Sequence, residues 1–198
     1  MRNKWIAGWL FCLTPAIGAQ ESERTLLTPP VHQGIYAAPT FKFGPFGPRS
    51  ESSLIAGVQG GWIIDRKYVL GLGAFGLSSR VKAPDDPRVE GLLANFSYVG
   101  LFGSYIWQSY KLLHAEATVL GGAGEMFYRS NEYRLDRTKS DAFGLFELGL
   151  NGILNLTPGV RIGAGMAHRW VQRINSIGMT NRKAGGTAFT LLLQIGRF

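Results

Sequence analysis

The residues able to do chemistry in this chain are few, and most stand two or more positions apart within apolar or glycine-rich runs. His114 and Glu116 share one parity, as do Arg161 and Arg169, and Glu147 and Lys42 occupy similar settings. An imidazole and a carboxylate two residues apart suit a hydrogen-bonded pair or half of a metal site. A third ligand at a convincing spacing is lacking, so no metal is expected. Gly71-Leu72-Gly73-Ala74-Phe75-Gly76 matches the glycine spacing of dinucleotide-binding loops letter for letter. That chemistry needs a strand-to-helix turn that points a helix N-terminus at the pyrophosphate, and no helical pattern follows here. Cys12 is the single cysteine, and it lies in an N-terminal apolar run. No cofactor follows from any of these motifs.

Local pattern decides how such residues are held. From Ser52 the even positions run Leu54, Ala56, Val58, Gly60, Trp62 and Ile64, and the odd ones Ser53, Ile55, Gly57, Gln59 and Gly61. The same period of two continues with Tyr68, Leu70, Leu72 and Ala74 against Val69, Gly71, Gly73 and Phe75. Later segments set Leu113, Ala115, Ala117 and Val119 against His114, Glu116 and Thr118. Phe146, Leu148, Leu150 and Leu154 oppose Glu147, Gly149 and Asn151, and Val160, Ile162, Ala164 and Met166 oppose Arg161, Gly163, Gly165 and Arg169. Alternation of this kind over such lengths is the strand signature, and helical spacing does not fit. In a fourth segment Leu92, Ala94, Phe96, Tyr98, Gly100 and Phe102 form the apolar face, against Asn95, Ser97, Val99 and Gly103. Gly34 to Phe43 and Thr187 to Phe198 complete a count of eight. In the first of these Tyr36, Thr40 and Lys42 are the polar set, and Pro39 predicts a bulge or a broken ladder.

Several segments exceed the five or six residues usual in soluble sheets and reach the roughly 9–11 that cross a bilayer. The faces rich in Leu, Phe and Val are then expected to meet lipid, and the faces bearing Gly, Ser, Asn, Gln and charge to face a narrow lumen. Asp65–Lys67, Gln108–Lys111 and Asn155–Gly159 read as short turns. They alternate with longer connections at Gly44–Ser50, Arg80–Gly91, Arg129–Ser140 and Gln172–Gly185. Short periplasmic turns and long outer loops alternate in this way in outer-membrane barrels. Trp62 and Tyr68, then Trp107 and Tyr110, flank two of the short turns as interfacial aromatics would, and Trp170 marks the opposite rim. Paired glycines recur in the strand after each short turn, where they leave room for large neighbours across a narrow lumen.

The ends add to this reading. Met1-Arg2-Asn3-Lys4, the apolar run Trp5 to Leu13 and small Ala19 describe a cleaved signal peptide, residues 1–19. The run is too short for a spanning helix, which takes about 20 residues. Its removal takes Cys12 with it, along with Arg2 and Lys4, and lowers the formal charge from +8 to +6. Residues 20–33, with Pro29-Pro30, read as an unstructured periplasmic leader, and 34–198 as the barrel. The last strand, ending in Phe198, resembles the signal by which the barrel assembly machinery recognises its clients. Phe198 falls out of step with Phe189, Leu191, Leu193 and Ile195.

The chain thus resembles the small eight-stranded bacterial outer-membrane β-barrel proteins, over Gly34 to Phe198. The resemblance implies an all-β, up-and-down antiparallel transmembrane barrel, monomeric, with both ends periplasmic. Eight strands leave an interior that side chains fill. His114, Glu116, Glu147, Arg161, Arg169 and Lys42 are accordingly expected as a paired charge network in the lumen, since charges out of water must be paired. Glu147 is expected opposite Arg169, and Glu116 near Arg161. Two basic loops are the only hint of a partner: Arg129, Arg134, Arg137 and Lys139 in one, Arg173, Arg182 and Lys183 in the other. Lipopolysaccharide phosphates would suit them, while nucleic acid does not suit an exported protein. A non-enzymatic envelope or surface-interaction role is the main reading. The alternatives are a narrow pore or a lipid A-modifying acyl enzyme. Against the latter, His168-Arg169-Trp170-Val171 lacks the serine of the deacylase pattern His-x-Ser-Asn, and a nucleophile must in any case be recognised by geometry.

Overall fold

A computed structural model describes residues 31–130 and 140–198. Eight strands, β1 (Gln33–Phe46), β2 (Glu51–Ile64), β3 (Tyr68–Leu77), β4 (Leu93–Trp107), β5 (Leu113–Arg129), β6 (Asp141–Thr157), β7 (Val160–Gln172) and β8 (Gly186–Arg197), follow one another around a closed barrel. Each strand pairs antiparallel with its sequence neighbours, and β8 returns to β1. A four-residue helix, α1 (Asn181–Ala184), sits in the last loop, capped by the Thr180 side chain. The barrel starts at Gln33, and the carbonyl of His32 already accepts the Asp65 amide at 2.8 Å. The expected signal peptide and most of the expected leader lie outside the described residues.

The wall is apolar outward. Leu70, Leu72, Leu101, Leu150 and Met166 are all well exposed, as a lipid-facing band requires. Trp62, Trp107 and Tyr110 are exposed at the short-turn end and Trp170 at the other. Inside, glycine admits bulk: a Cβ on Gly71 would stand 2.6 Å from the Phe102 ring. The dinucleotide-like glycines 71, 73 and 76 all lie within β3, and the first two make room for the Phe102 and Phe75 rings.

Three expectations need correction. First, the faces of β4 are inverted: Phe96, Tyr98 and Phe102 are buried in the lumen, and Val99 and Leu101 are more than 60% exposed. Both faces of this strand are apolar, so the polar residues Asn95 and Ser97 misdirect the assignment. Second, strands run further than the turn residues implied. Gly44 to Phe46 belong to β1, so the first long-end loop shrinks to residues 47–50, and Asn155 to Thr157 belong to β6. The β6–β7 ladder shifts register between Asn155 and Thr157, which lets the strand continue almost to Gly159. Third, Arg129 closes β5 rather than opening a loop. Pro39 breaks the ladder as expected, though without a bulge. Pairing to β2 runs straight through it, and the pairing to β8 omits Ala38 and Pro39 with no change of register.

Candidate functional site

The lumen is where the charged residues converge, because each lies on the inward parity of its strand. Lys42 on β1, Glu147 on β6 and Arg169 on β7 are at most 6% exposed. Glu147 and Arg169 are direct partners in the β6–β7 register, and Arg169 Nε donates to Glu147 Oε2 at 3.3 Å. Lys42 Nζ donates to Glu147 Oε1 and, at 3.2 Å, to the Tyr98 hydroxyl. The Tyr98 hydroxyl in turn donates to Glu147 Oε2 at 3.4 Å. One carboxylate thus takes two cations, and Arg169 Nη1 spends its remaining reach on the Ala184 carbonyl at 3.5 Å. An aromatic layer closes around this knot. Lys42 Nζ stands 3.8 Å above the Phe75 ring, Phe75 lies against Tyr98 at 4.9 Å, and Phe96 stacks on Phe143 at 4.6 Å. Cations over ring faces gain electrostatic stabilisation on top of the ion pairs.

Above the knot, the long-end loops fold over the mouth. Ile174, Met179 and Ala184 are buried beside Val81, Ala83, Val89 and Phe46. Tyr128 donates to the Ile177 carbonyl at 2.6 Å, and the Gly47 amide to the Lys183 carbonyl at 3.1 Å. The Asp141 carboxylate accepts from the Asn175 amide and from Ser176 Oγ at 3.1 Å. At the first loop, Arg49 forks both carboxylate oxygens of Asp85 at 2.7 and 2.8 Å, and beyond it Arg88 holds Asp86. The Arg88 hydrogen bonds keep the Asp86 carboxyl down at about 2, well below the usual carboxylate range.

Toward the short turns the lumen is built differently. Glu116, 1% exposed, accepts from Gln194 Nε2 at 2.9 Å. Arg161 is not its ion-pair partner. Instead the Arg161 guanidinium lies 3.7 Å from the centre of the Phe198 ring, which also stacks on Tyr36. The expected Glu116–Arg161 pair is therefore replaced by an amide and an aromatic. The inward parity of Phe198 is the reason, since it places a ring at the lumen mouth. His114 Nδ1 meets the Lys111 carbonyl at 3.3 Å, and the buried Nε2 has no hydrogen-bond partner among the described residues, as is true of Glu116 Oε1 and Tyr36 Oη.

Two of these residues escape the sequence pattern: Tyr98 stands on the face expected to meet lipid, and Gln194 belongs to no motif, while Phe198 shows only as out of step with its strand. A signal for Tyr98 existed: Trp107, an interfacial aromatic, shares parity with Val99 and Leu101. Of the basic loop residues, Arg129, Arg173 and Arg182 are exposed, and Lys183 Nζ donates to the Gly178 carbonyl at 3.1 Å. Arg134, Arg137 and Lys139 lie outside the described residues. On the outer wall, His168 Nδ1 stands 2.7 Å from Thr187 Oγ1, with the ring against Trp170 at 4.3 Å. No group of three or more potential metal ligands forms among the described residues.

No family model matches the chain, and no curated protein matches it by sequence. Among solved structures, Neisserial surface protein A (NspA) aligns with a TM-score of 0.58 at 10% identity, over 83% of this chain and 97% of that one. Ail, the attachment invasion locus protein of Yersinia pestis, aligns with a TM-score of 0.44, also at 10% identity, over 84% and 97%. At such identity the likeness to NspA speaks to the fold. The chain has the fold of the small eight-stranded outer-membrane β-barrels.

Proposed function

We propose that this protein is a non-enzymatic outer-membrane barrel with a sealed lumen, which works through its exposed loop end as a surface-interaction or envelope protein. On this reading the short turns face the periplasm and the capped end faces outward. One observation carries it: the Lys42–Glu147–Arg169 knot, wrapped in aromatic rings, ties β1, β6 and β7 together across the lumen beneath a folded loop cap. A barrel of this width with its centre tied by ion pairs suits a rigid platform better than a conduit. Arg129, Arg173 and Arg182 at the exposed end give that platform cationic edges suited to lipopolysaccharide phosphates. Planar-bilayer recording with the full chain tests the seal. No steady large conductance is expected, and a stable open channel would return the narrow pore to first place. Cell fractionation with a heat-modifiability gel tests the location.

A second reading, acyl hydrolysis or transfer at the membrane surface, has one observation in its favour. His168 and Thr187 make an imidazole–hydroxyl pair on the lipid-facing wall, beside the rim residue Trp170. Lipid A mass spectra from cells with and without Thr187→Val decide it, and identical spectra are the expected result.

A further inference from the structure

We propose that the short-turn end of the barrel binds a small dianion, a phosphate monoester in chemistry, between the guanidinium groups of Arg66 and Arg161. The inference goes beyond the proposed function and depends on it only for the compartment, the periplasm, that would supply the ligand.

Arg161 supplies the first reason. It is 8% exposed, yet it makes neither a hydrogen bond nor an ion pair with any described residue; its contact is the Phe198 ring. The two other lumen cations, Lys42 and Arg169, are both taken up by Glu147. A buried guanidinium carries a heavy desolvation cost unless its donors are met. The Phe198 ring covers the guanidinium and takes none of its N–H donors, which leaves them for an oxyanion.

The surroundings of Arg161 supply the second. A cleft of about 360 Å³ opens beside it, lined by Arg66, Ser109, Tyr110, Thr157 and Phe198 among others. No described side chain that lines it is acidic. Arg66 reaches it from the β2–β3 turn, where Asp65 and Arg66 both hold left-handed backbone, φ 52° and 56°. The neighbouring acid is engaged elsewhere, since Asp65 pairs with Lys67 at 3.3 Å. That is the ordinary geometry of a tight hairpin turn, closed by the Lys67 amide on the Ile64 carbonyl at 3.1 Å, and it fixes where the Arg66 side chain leaves the barrel end.

The third reason is the irregularity in β6. The register shift between Asn155 and Thr157 lies within the cleft wall, and bulges gather at barrel rims and beside sites because they re-aim side chains. Asn155 Nδ2 is spent on the carbonyls of Ser109 and Lys111, at 3.2 and 2.8 Å, and so locks two turns together. Its Oδ1 is buried with no hydrogen-bond partner among the described residues. The cleft therefore offers two cationic forks, three hydroxyls from Ser109, Tyr110 and Thr157, and one acceptor in need of a donor. A dianion answers both guanidinium groups, where a monocarboxylate answers one. A hydroxyl-bearing body, such as a small sugar, answers Asn155 Oδ1 and fits a pocket at the small end of ligand sites.

The experiment titrates the full chain, folded in nonionic detergent, with inorganic phosphate and separately with glucose 1-phosphate, at constant ionic strength. Binding is read from the backbone amide resonances of Thr157 and Gly159. Saturable one-to-one binding is expected for both probes, tighter for the sugar phosphate and weaker for acetate. Arg161→Gln is expected to abolish it, and Arg66→Gln to weaken it by about tenfold, as loss of one charged fork would. Arg66 is exposed in a turn, so its variant keeps the test alive if Arg161→Gln fails to fold. Shifts that never saturate, or that are the same in Arg66→Gln as in the parent, would overturn the proposal.

Discussion

The two halves of the lumen meet the same problem, charge removed from water, with opposite solutions. Toward the long loops, Glu147 gathers Lys42, Arg169 and the Tyr98 hydroxyl into one closed knot among stacked rings. Toward the short turns, Glu116 is held by a neutral amide, and Arg161 lies on an aromatic ring at the mouth. Burial does not separate them, since Glu116 and Arg161, at 1% and 8% exposed, are as enclosed as the knot. What differs is the partner: ions answer ions in one half, and an amide and a ring answer them in the other.

The contrast is breakable at several points, of which Glu147 is the sharpest. Glu147→Gln leaves two buried cations without a counter-charge and should cost about 3–5 kcal/mol, read as a shift in urea unfolding of the barrel in lipid bilayers. Leu148→Arg, one residue away but on the lipid face, should cost about 2–4 kcal/mol near the midplane by the same assay. A null result there would mean that the wall register is reversed. Next in size is the coupling within the knot. Glu147→Gln and Arg169→Gln together should cost less than the sum of the single changes by about 0.5–3 kcal/mol, and strict additivity would mean the pair does not act as a unit. Smallest is Glu116→Gln, at about 1 kcal/mol, the worth of one hydrogen bond, because no cation in contact with Glu116 is left behind. Equal losses at Glu116 and Glu147 would erase the difference between the two halves.

The fold was legible in the sequence because a two-faced strand writes its orientation at every second residue. For β5, β6 and β7 the inward set includes His114, Glu116, Glu147, Asn151, Arg161 and Arg169, which are buried, and Thr118, Gly149 and Gly165, which are half-buried. Strand β4 was illegible for the complementary reason. The lumen needs aromatic filler somewhere, and a strand that supplies Phe96, Tyr98 and Phe102 inward while showing Val99 and Leu101 to lipid carries Asn95 and Ser97 on the outer face, where they mislead. The Glu147–Arg169 pair followed from hairpin register alone. The share of Lys42 in it did not, because β1 and β6 are not neighbours and meet only across the lumen. Glu116 was misassigned for the same reason: its partner Gln194 is uncharged and lies across the barrel on β8, where parity fixes the face but not the depth. Phe198 announced itself as out of step, and the consequence, a ring under Arg161, needed coordinates to appear.

Pro39 leaves a mark on the wall that concerns its mechanics more than its chemistry. The β1–β2 ladder pairs every residue from Gln33 to Phe46, while the β1–β8 ladder skips Ala38 and Pro39 and stops at Phe43, two short of Pro45. Both prolines of β1 thus interrupt or end the pairing on the β8 side, the side where the circle closes. A missing amide in a hydrocarbon setting cannot be replaced by water, so that line of the wall is the thinnest. The barrel therefore has a preferred place to part: a cylinder with one weak stave, whose amides along β8 should exchange with deuterium before those of β4 and β5.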